Sequence, residues 1–481
     1  MPWRPVTRDQ AWLFPPTLDD LLPQDHPARF VLSFVDALPP DLQTAFETAA
    51  PALPLGAPAY QPKVLLCAWI YGFMTRTRSS RRLETACRDQ IPLLWLTGWQ
   101  HPDHNTLWRF YKTHREQLHL LLKQTVKVAV RLGLVDWAVQ AIDGTKIAGN
   151  AAKARSLDPA YLCRLLERTE AAIADLEAQN QGADGAQPPR LPGAWCDAQV
   201  LRERLREALA ESEADGRPVN LTDADTRLMK GRQGTVAGYN AQAAVAPMVA
   251  KAGGGLLITA ALVTQAANDQ GLLLPVAQEA AAMTGGTPGL TLADAGYLSG
   301  PSLTACAEAG LPVVIADGHL HPDKPYHKDR FTYDATTDSY TCPEGQVIPF
   351  SYEKHKRGEA PARVYQAGIA TCGRCPAFGR CTKNGVQGRR IERTAHDEAL
   401  HAHHAWMQTP AAQAAYRLRK QLVEPAFGIL KECMDARRFL LRGLANVRCE
   451  WAFLATAFNL RTLRRVWARS GGRQWGALMA A

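Results

Sequence analysis

The stretch AIDGTKIAGN, Ala141 to Asn150, constrains this chain more than any other. Trp137, Val139, Ala141 and Ile142 lead into it as an apolar run, the pattern of a buried β-strand. The strand delivers a carboxylate, Asp143, followed by Gly144 and Lys146. A buried carboxylate without a partner is strongly unfavourable, so an acid here needs a cation beside it. Two other acids stand in comparable settings. Asp294 ends an apolar strand in LTLADAGYLSG, and Glu424 falls on a helix in YRLRKQLVEPAFGILK. Acids carried by two strand ends and a helix can converge to hold a divalent metal. Taken singly, Asp143 and Asp294 read equally well as ordinary strand-end or N-cap acids.

The chain is long enough for roughly two to four domains and a sizeable core. With 46% hydrophobic and 21% charged residues it is globular and not largely disordered. A net charge of +9 favours polyanions, nucleic acid first among them. Pro2, Arg4 and Arg8 precede no apolar region of the kind a signal peptide needs, and no run of about twenty apolar residues offers a membrane span. A cytoplasmic location is expected, nucleoid-associated when DNA is bound. In that compartment the eleven cysteines read as thiols or metal ligands in preference to disulfides.

Residues 1–135 read as helical and as a DNA-binding domain. Thr17 to Leu38 is amphipathic and is broken at His26-Pro27, and Pro62 to Met74 is uniformly apolar and so belongs to the core. In TRTRSSRRLETACRDQ, Arg76, Arg78, Arg81, Arg82 and Arg88 surround Ser79 and Ser80. Either serine can cap the helix that follows and aim its amides at phosphate. HPDHNTLWRFYKTH comes next, with Asn105 or Thr106 as cap and Arg109, Lys112 and His114 on one side. The pair resembles a helix-turn-helix. A helical bundle with a solvated basic face explains the charges equally well.

Beyond the first strand, helices at Leu157–Glu177 and Trp195–Glu213, joined by a Gly/Pro/Gln-rich loop over Asn180–Pro192, predict a hairpin inserted at 157–213. Strands are predicted at Val236–Val245, Leu256–Val263, Leu290–Ala293 and Leu311–Ala316. Asn268-Asp269 opens one helix, running to Met283, and Ser299 caps another. This order makes an α/β layer on a mixed sheet over 136–318, resumed at 403–468. Residues 319–402 form a polar insertion with short strands (FTYD, DSYTC, FSYEKH) and four cysteines, Cys342, Cys372, Cys375 and Cys381. The CGRC spacing suits a zinc knuckle, which would hold together a segment too polar for its own core. Reduced cysteines on a β-hairpin excursion are the other reading. The last segment is helical and basic, with Tyr416, Arg419, Lys420, Glu424 and Lys431 near one face and Arg437, Arg438, Arg442 and Arg448 following.

IDGTK, the strand-borne ADAGY and the tyrosine–arginine–glutamate–lysine helix with VEPAFG resemble the DDE transposases of bacterial insertion sequences. YQPKVLLCAWIYGF, SSRRLE, PDHNTLWRF, GYNAQ, QAANDQ and CGRCP are similar to one branch of that family, so the resemblance covers nearly the whole chain. It implies an RNase H-like catalytic domain with a helical N-terminal domain and insertions. It also implies catalytic acids at Asp143, Asp294 and Glu424 that hold Mg2+ or Mn2+, signature residues at Tyr416 and Arg419, and a lysine at Lys431. One spacing departs from the family pattern. Four residues separate Arg419 from Glu424 where three are usual, and Lys420 occupies the expected place, so either cation could contact DNA.

Transposition opens a phosphodiester with water and then attacks with the freed 3′-hydroxyl, two in-line displacements that paired magnesium ions can serve. On this reading Lys146, Arg419 or Lys420, and Lys431 hold flanking phosphates, and Tyr416 stacks on a displaced base. Arg81 and Arg82 serve end recognition, and Arg437 and Arg438 grip the DNA backbone. Joining two transposon ends implies a homodimer on double-stranded DNA. The alternatives are a domesticated DNA-binding protein without activity and an RNase H-like nuclease without strand transfer.

Overall fold

The computed structural model describes residues 17–48, 58–181, 193–231, 234–250, 253–317, 325–355 and 361–469. Most of the loop expected at 180–192 lies outside them. Seven helices come first: α1 (Pro27–Asp36), α2 (Pro40–Thr48), α3 (Pro62–Met74), α4 (Ser80–Asp89), α5 (Ile91–Thr97), α6 (His104–Thr113) and α7 (Arg115–Arg131). Proline opens α1, α2 and α3 and stands in the first turn of α5, where a missing N–H is no loss and the fixed φ suits a helix. As its uniform apolarity predicts, α3 is buried from Leu65 to Met74. The cap of α6 differs from expectation. Asp103, not Asn105 or Thr106, is the N-cap, and its carboxylate accepts from the Thr106 N–H at 2.6 Å.

A six-stranded mixed sheet follows, built from β1 (Gln140–Ala148), β4 (Arg227–Gly231), β5 (Gly234–Pro247), β6 (Leu256–Thr264), β7 (Thr291–Ala293) and β8 (Val313–Ile315). Between β1 and β4 lie β2 (Ser156–Leu157), α8 (Pro159–Gln181), α9 (Gly193–Asp215) and β3 (Val219–Asn220). The helices form the expected hairpin, and the β2–β3 pair clasps its base. In the sheet β5 pairs antiparallel with β1, and on its other edge with β4 and β6. From β1 the order continues through β7 to β8, both parallel. Strand β4 escapes the sequence pattern because RLMKG offers only two apolar residues.

Helices α10 (Leu273–Thr284) and α11 (Gly300–Glu308) cover one face of the sheet, packing on Ile142, Ala244, Ala260 and Ala293. The other face is covered by α7, α14 (Pro410–Gly428) and α15 (Leu444–Arg469), which share one core with the N-terminal helices, reaching from Leu22 to Trp467. Helix α15 is buried almost without interruption from Cys449 to Leu463. Its polar groups are paired: Trp451 donates to the Gln242 carbonyl at 2.8 Å, and the Asn459 amide bonds both the N–H and the C=O of Ile258.

Strands β9 (Thr332–Asp334), β10 (Ser339–Thr341), β11 (Val347–Lys354), β12 (Ala362–Gln366) and β13 (Arg390–Arg393) form a separate antiparallel meander, with α12 (Ile369–Cys372) between the last two. The expectation that this insertion is too polar for a core of its own is wrong. Phe331, Tyr340, Ile348, Tyr365 and Ile391 make one, with Tyr340 and Tyr365 edge to face at 5.0 Å. Helix α13 (Asp397–Met407) then leads into α14. Among the described residues no helix is long and apolar enough to cross a membrane.

Candidate active site

Strand β1 does not end at Asp143 but runs on to Ala148, so the acid lies within the strand. Strand β7 ends at Ala293, and Asp294 caps the short 3-10 turn Ala295–Tyr297, accepting from the Gly296 N–H at 2.9 Å. The two strands are parallel neighbours with Ala141 opposite Leu292, and two steps further the register brings Asp143 level with Asp294. Arg419 of α14 bridges them. One guanidinium nitrogen lies 3.0 Å from Asp143 Oδ2 and 3.5 Å from Asp294 Oδ2. Burial pushes the Asp143 carboxyl up to about 6; Arg419 opposes the rise, and the nearby carboxylates of Asp294 and Asp269 add to it.

Of Arg419 and Lys420, it is Arg419 that stands at these acids. Arg419 is buried against them, and Lys420, one residue on, is exposed. Tyr416, one turn before Arg419, is half-buried, and burial holds its phenol above the usual range. Glu424 is exposed on α14. It follows Arg419 by about 7.5 Å along the helix axis and roughly 140° round it. The five residues therefore do not share a narrow face. Lys431 lies in a π turn, Ile429–Cys433, and donates to Thr145 Oγ1 at 2.6 Å. Thr145 is two residues from Asp143, on the same face of β1.

Lys146 points to the opposite face, where its ammonium lies 3.1 Å from Asp269 Oδ1. Gly144 is required between them. A Cβ at that position would come within 2.1 Å of Gln242 Nε2 and 2.9 Å of Asp269 Oδ1. Local pattern assigns Asp269 no role: QAANDQ takes part in the family resemblance, but Asn-Asp after a strand reads as the start of a helix. Here α10 begins only at Leu273, since Asp269 is drawn back towards β1 and β5.

The arginines divide into two kinds. Arg81 and Arg82 are exposed on α4, and Arg438 is exposed after the π turn. Arg437 is exposed too and is paired with Glu432 at 2.6 Å. Arg78 is a correction to the basic cluster: it is buried, pairs with Glu450 at 2.9 Å and donates to the carbonyls of Asp435 and Arg438. His114 likewise leaves the basic side, being buried against Phe110 and Phe46. Ser79 is the N-cap residue of α4, without a side-chain hydrogen bond to the helix.

Among the described residues no three His, Cys, Asp or Glu side chains stand as a bound metal would need. The donor chemistry nevertheless fits. Asp143 and Asp294 offer hard carboxylate oxygens facing a common cation, the guanidinium of Arg419. In the insertion, Cys342, Cys372, Cys375 and Cys381 line one small cavity. The sulfurs of Cys342 and Cys372 accept backbone N–H groups of Gln346 and Arg389 at 3.3 and 3.4 Å, bonds that suit thiolates. Such a donor set fits zinc.

Two family models match the chain. One, described as a transposase DDE domain, covers residues 341–464, the span holding the four cysteines of the meander, α13, α14 and most of α15. The other, described as a transposase domain (DUF772), covers residues 16–113, the first six helices. No curated protein and no solved structure matches. The two matches, both to transposase domains, flank the strands that carry Asp143 and Asp294 and support a DDE transposase acting on DNA.

Proposed function

We propose that the chain cuts and joins the ends of an insertion sequence at one site built on Asp143, Asp294 and Glu424, carried by an RNase H-like domain. The sheet order supports that fold: the first strand of the domain pairs antiparallel with the long second strand and parallel with the strand after α10, and a late helix returns across it. The observation that carries the reading is the convergence of Asp143 and Asp294, from adjacent strands, on Arg419 of the helix that also bears Glu424.

Divalent ions, Mg2+ or Mn2+, held by these carboxylates would supply an activated water and neutralise the leaving oxygen. The chain's own groups do the rest. Asp143 and Asp294 fix the position of the reacting phosphate relative to β1. Arg419 and Lys431 present cations on the same side of the sheet and grip the flanking phosphates, with Tyr416 beside Arg419 to stack on an unpaired base. Lys146, already paired to Asp269, serves the network behind β1 instead. Double-stranded DNA is the partner, and joining two ends calls for two copies of the chain.

The test is nicking of a DNA fragment carrying the element's ends. Asp143→Asn, Asp294→Asn and Glu424→Gln should each lose Mg2+-dependent cleavage by a factor of about 10³ or more while keeping DNA affinity within a few fold. Cleavage retained by any one variant removes that residue from the site. Cleavage without joining in the native protein would make this a nuclease instead.

A further inference from the structure

Three short motifs meet at one carboxylate oxygen, and a fourth joins them through Gln242. Asp269 Oδ1 accepts from Lys146 Nζ at 3.1 Å, Asn240 Nδ2 at 2.7 Å and Gln242 Nε2 at 2.8 Å. Gln242 Nε2 also donates to Asn240 Oδ1 at 2.9 Å, and Gln242 Oε1 accepts from the Tyr297 hydroxyl. Lys146 comes from IDGTK, Asn240 and Gln242 from GYNAQ, Asp269 from QAANDQ and Tyr297 from ADAGY. Asn240, Gln242 and Tyr297 are fully buried, so each bond lost in this group strands a polar atom away from water.

The carboxylate fixes the direction of the chain of bonds. An ionised acid only accepts, so the Gln242 amide must turn its NH2 to Asp269 and its oxygen to Tyr297. Tyr297 closes the 3-10 turn that Asp294 opens, and Gln242 lies opposite Gly144, next to Asp143, in the β1–β5 ladder. The other oxygen of Asp269 lies beside Gly296 in that same turn, 3.5 Å from where a Cβ would stand.

We propose that Asp269 is a positioning residue of the active site: its carboxylate, through Gln242 and Tyr297, fixes the turn that carries Asp294 against the strand that carries Asp143. Without the charge the Gln242 amide loses its reason to face one way, and the Tyr297 turn loses its anchor. The effect falls on the distance between the two catalytic acids. This rests on the assignment of Asp143 and Asp294 as the reacting carboxylates.

The test compares Asp269→Asn, Tyr297→Phe and their double variant with the wild type. Two quantities are measured: kcat and KM for nicking of end DNA, and Mn2+ affinity by electron paramagnetic resonance. Each single variant should lower kcat by about 10- to 100-fold, as misplacement of reacting groups does, with KM for DNA unchanged and Mn2+ bound more weakly. The double variant should be no worse than the weaker single, because both act through one chain of bonds. Wild-type kcat and Mn2+ affinity in Asp269→Asn, or losses that multiply in the double variant, would overturn the proposal. Should Asp269→Asn not fold, Tyr297→Phe, which removes one oxygen, carries the same comparison against Gln242→Leu. Asp143→Asn run alongside separates the two failures: if it still nicks, the assignment of the acids is at fault and not the role of Asp269.

Discussion

Two single positions show how tightly this sheet is specified. Gly144→Ala would push a methyl into the Gln242 amide and Asp269. Overpacking of that kind costs roughly 1–3 kcal/mol, so the variant should unfold at lower denaturant and lose nicking even though no catalytic group is touched. Glu279 gives a pH test away from the site. Burial pushes its carboxyl up to about 7, so the folded state holds the proton more tightly than the unfolded chain does. The stability that this supplies is full below the ordinary glutamate range and is lost as pH rises through about 7. Glu279→Gln should therefore raise Tm by a few degrees at pH 8.5 and change it little at pH 5, as calorimetry at the two pH values would show. At this scale the sequence was legible for the meeting of Asp143 and Asp294, since a lone acid after an apolar run is conspicuous, although Asp143 lies within its strand and only Asp294 at a strand end. It was not legible for Asp269, whose partners come from three other segments. Nor was it for Arg78, which reads as one more arginine in a basic run until burial and Glu450 are seen.

Elements announced by local chemistry were read best. Helix α3 runs over the expected Pro62–Met74, because proline opens it and every turn is apolar. The helix-capping serine at Ser299 is confirmed, its hydroxyl accepting from Ser302 N–H at 3.2 Å. Elements whose stability comes from tertiary contacts were read poorly. Strand β4 has little pattern of its own, and the start of α10 is moved by Asp269. The cysteine meander hides its core for a related reason: Phe331, Tyr340, Ile348, Tyr365 and Ile391 come singly from five short segments, none of which is an apolar run by itself. That core changes what zinc would do. With a packed centre already present, metal would staple the β10–β11 turn to the segment after β12 and would not create the fold. Purified protein should carry about one zinc per chain by elemental analysis, and chelation should lower Tm while leaving the meander's strand content by circular dichroism. Zinc-free protein with the same Tm would leave only reduced cysteines on a sheet.

At the scale of the molecule, the basic N-terminal helices and the active site are parts of one packed body. The buried Arg78–Glu450 pair ties the start of α4 to α15, and its carbonyl bonds tie α4 to the segment after the π turn. Exposed Arg81 and Arg82 are therefore held at a fixed distance from Asp143, as the proposed reading of a transposon end would require. Phosphate contacts position DNA without reading its sequence, whereas contacts to base edges discriminate. Replacing Arg81 and Arg82 by alanine should then shrink the preference for the cognate end over a scrambled duplex. Arg437 and Arg438, on the active-site side of the joint, should grip the backbone. Their loss should weaken both duplexes alike and flatten the salt dependence by about one log unit per contact. For Arg437 the effect should be the smaller, because DNA must first compete with its pair to Glu432. Titrations of both duplexes at several salt concentrations separate these outcomes. A uniform loss from both double variants, with selectivity unchanged, would move end recognition off α4. The α8–α9 hairpin, which projects between β2 and β3, would then be the surface to mutate next.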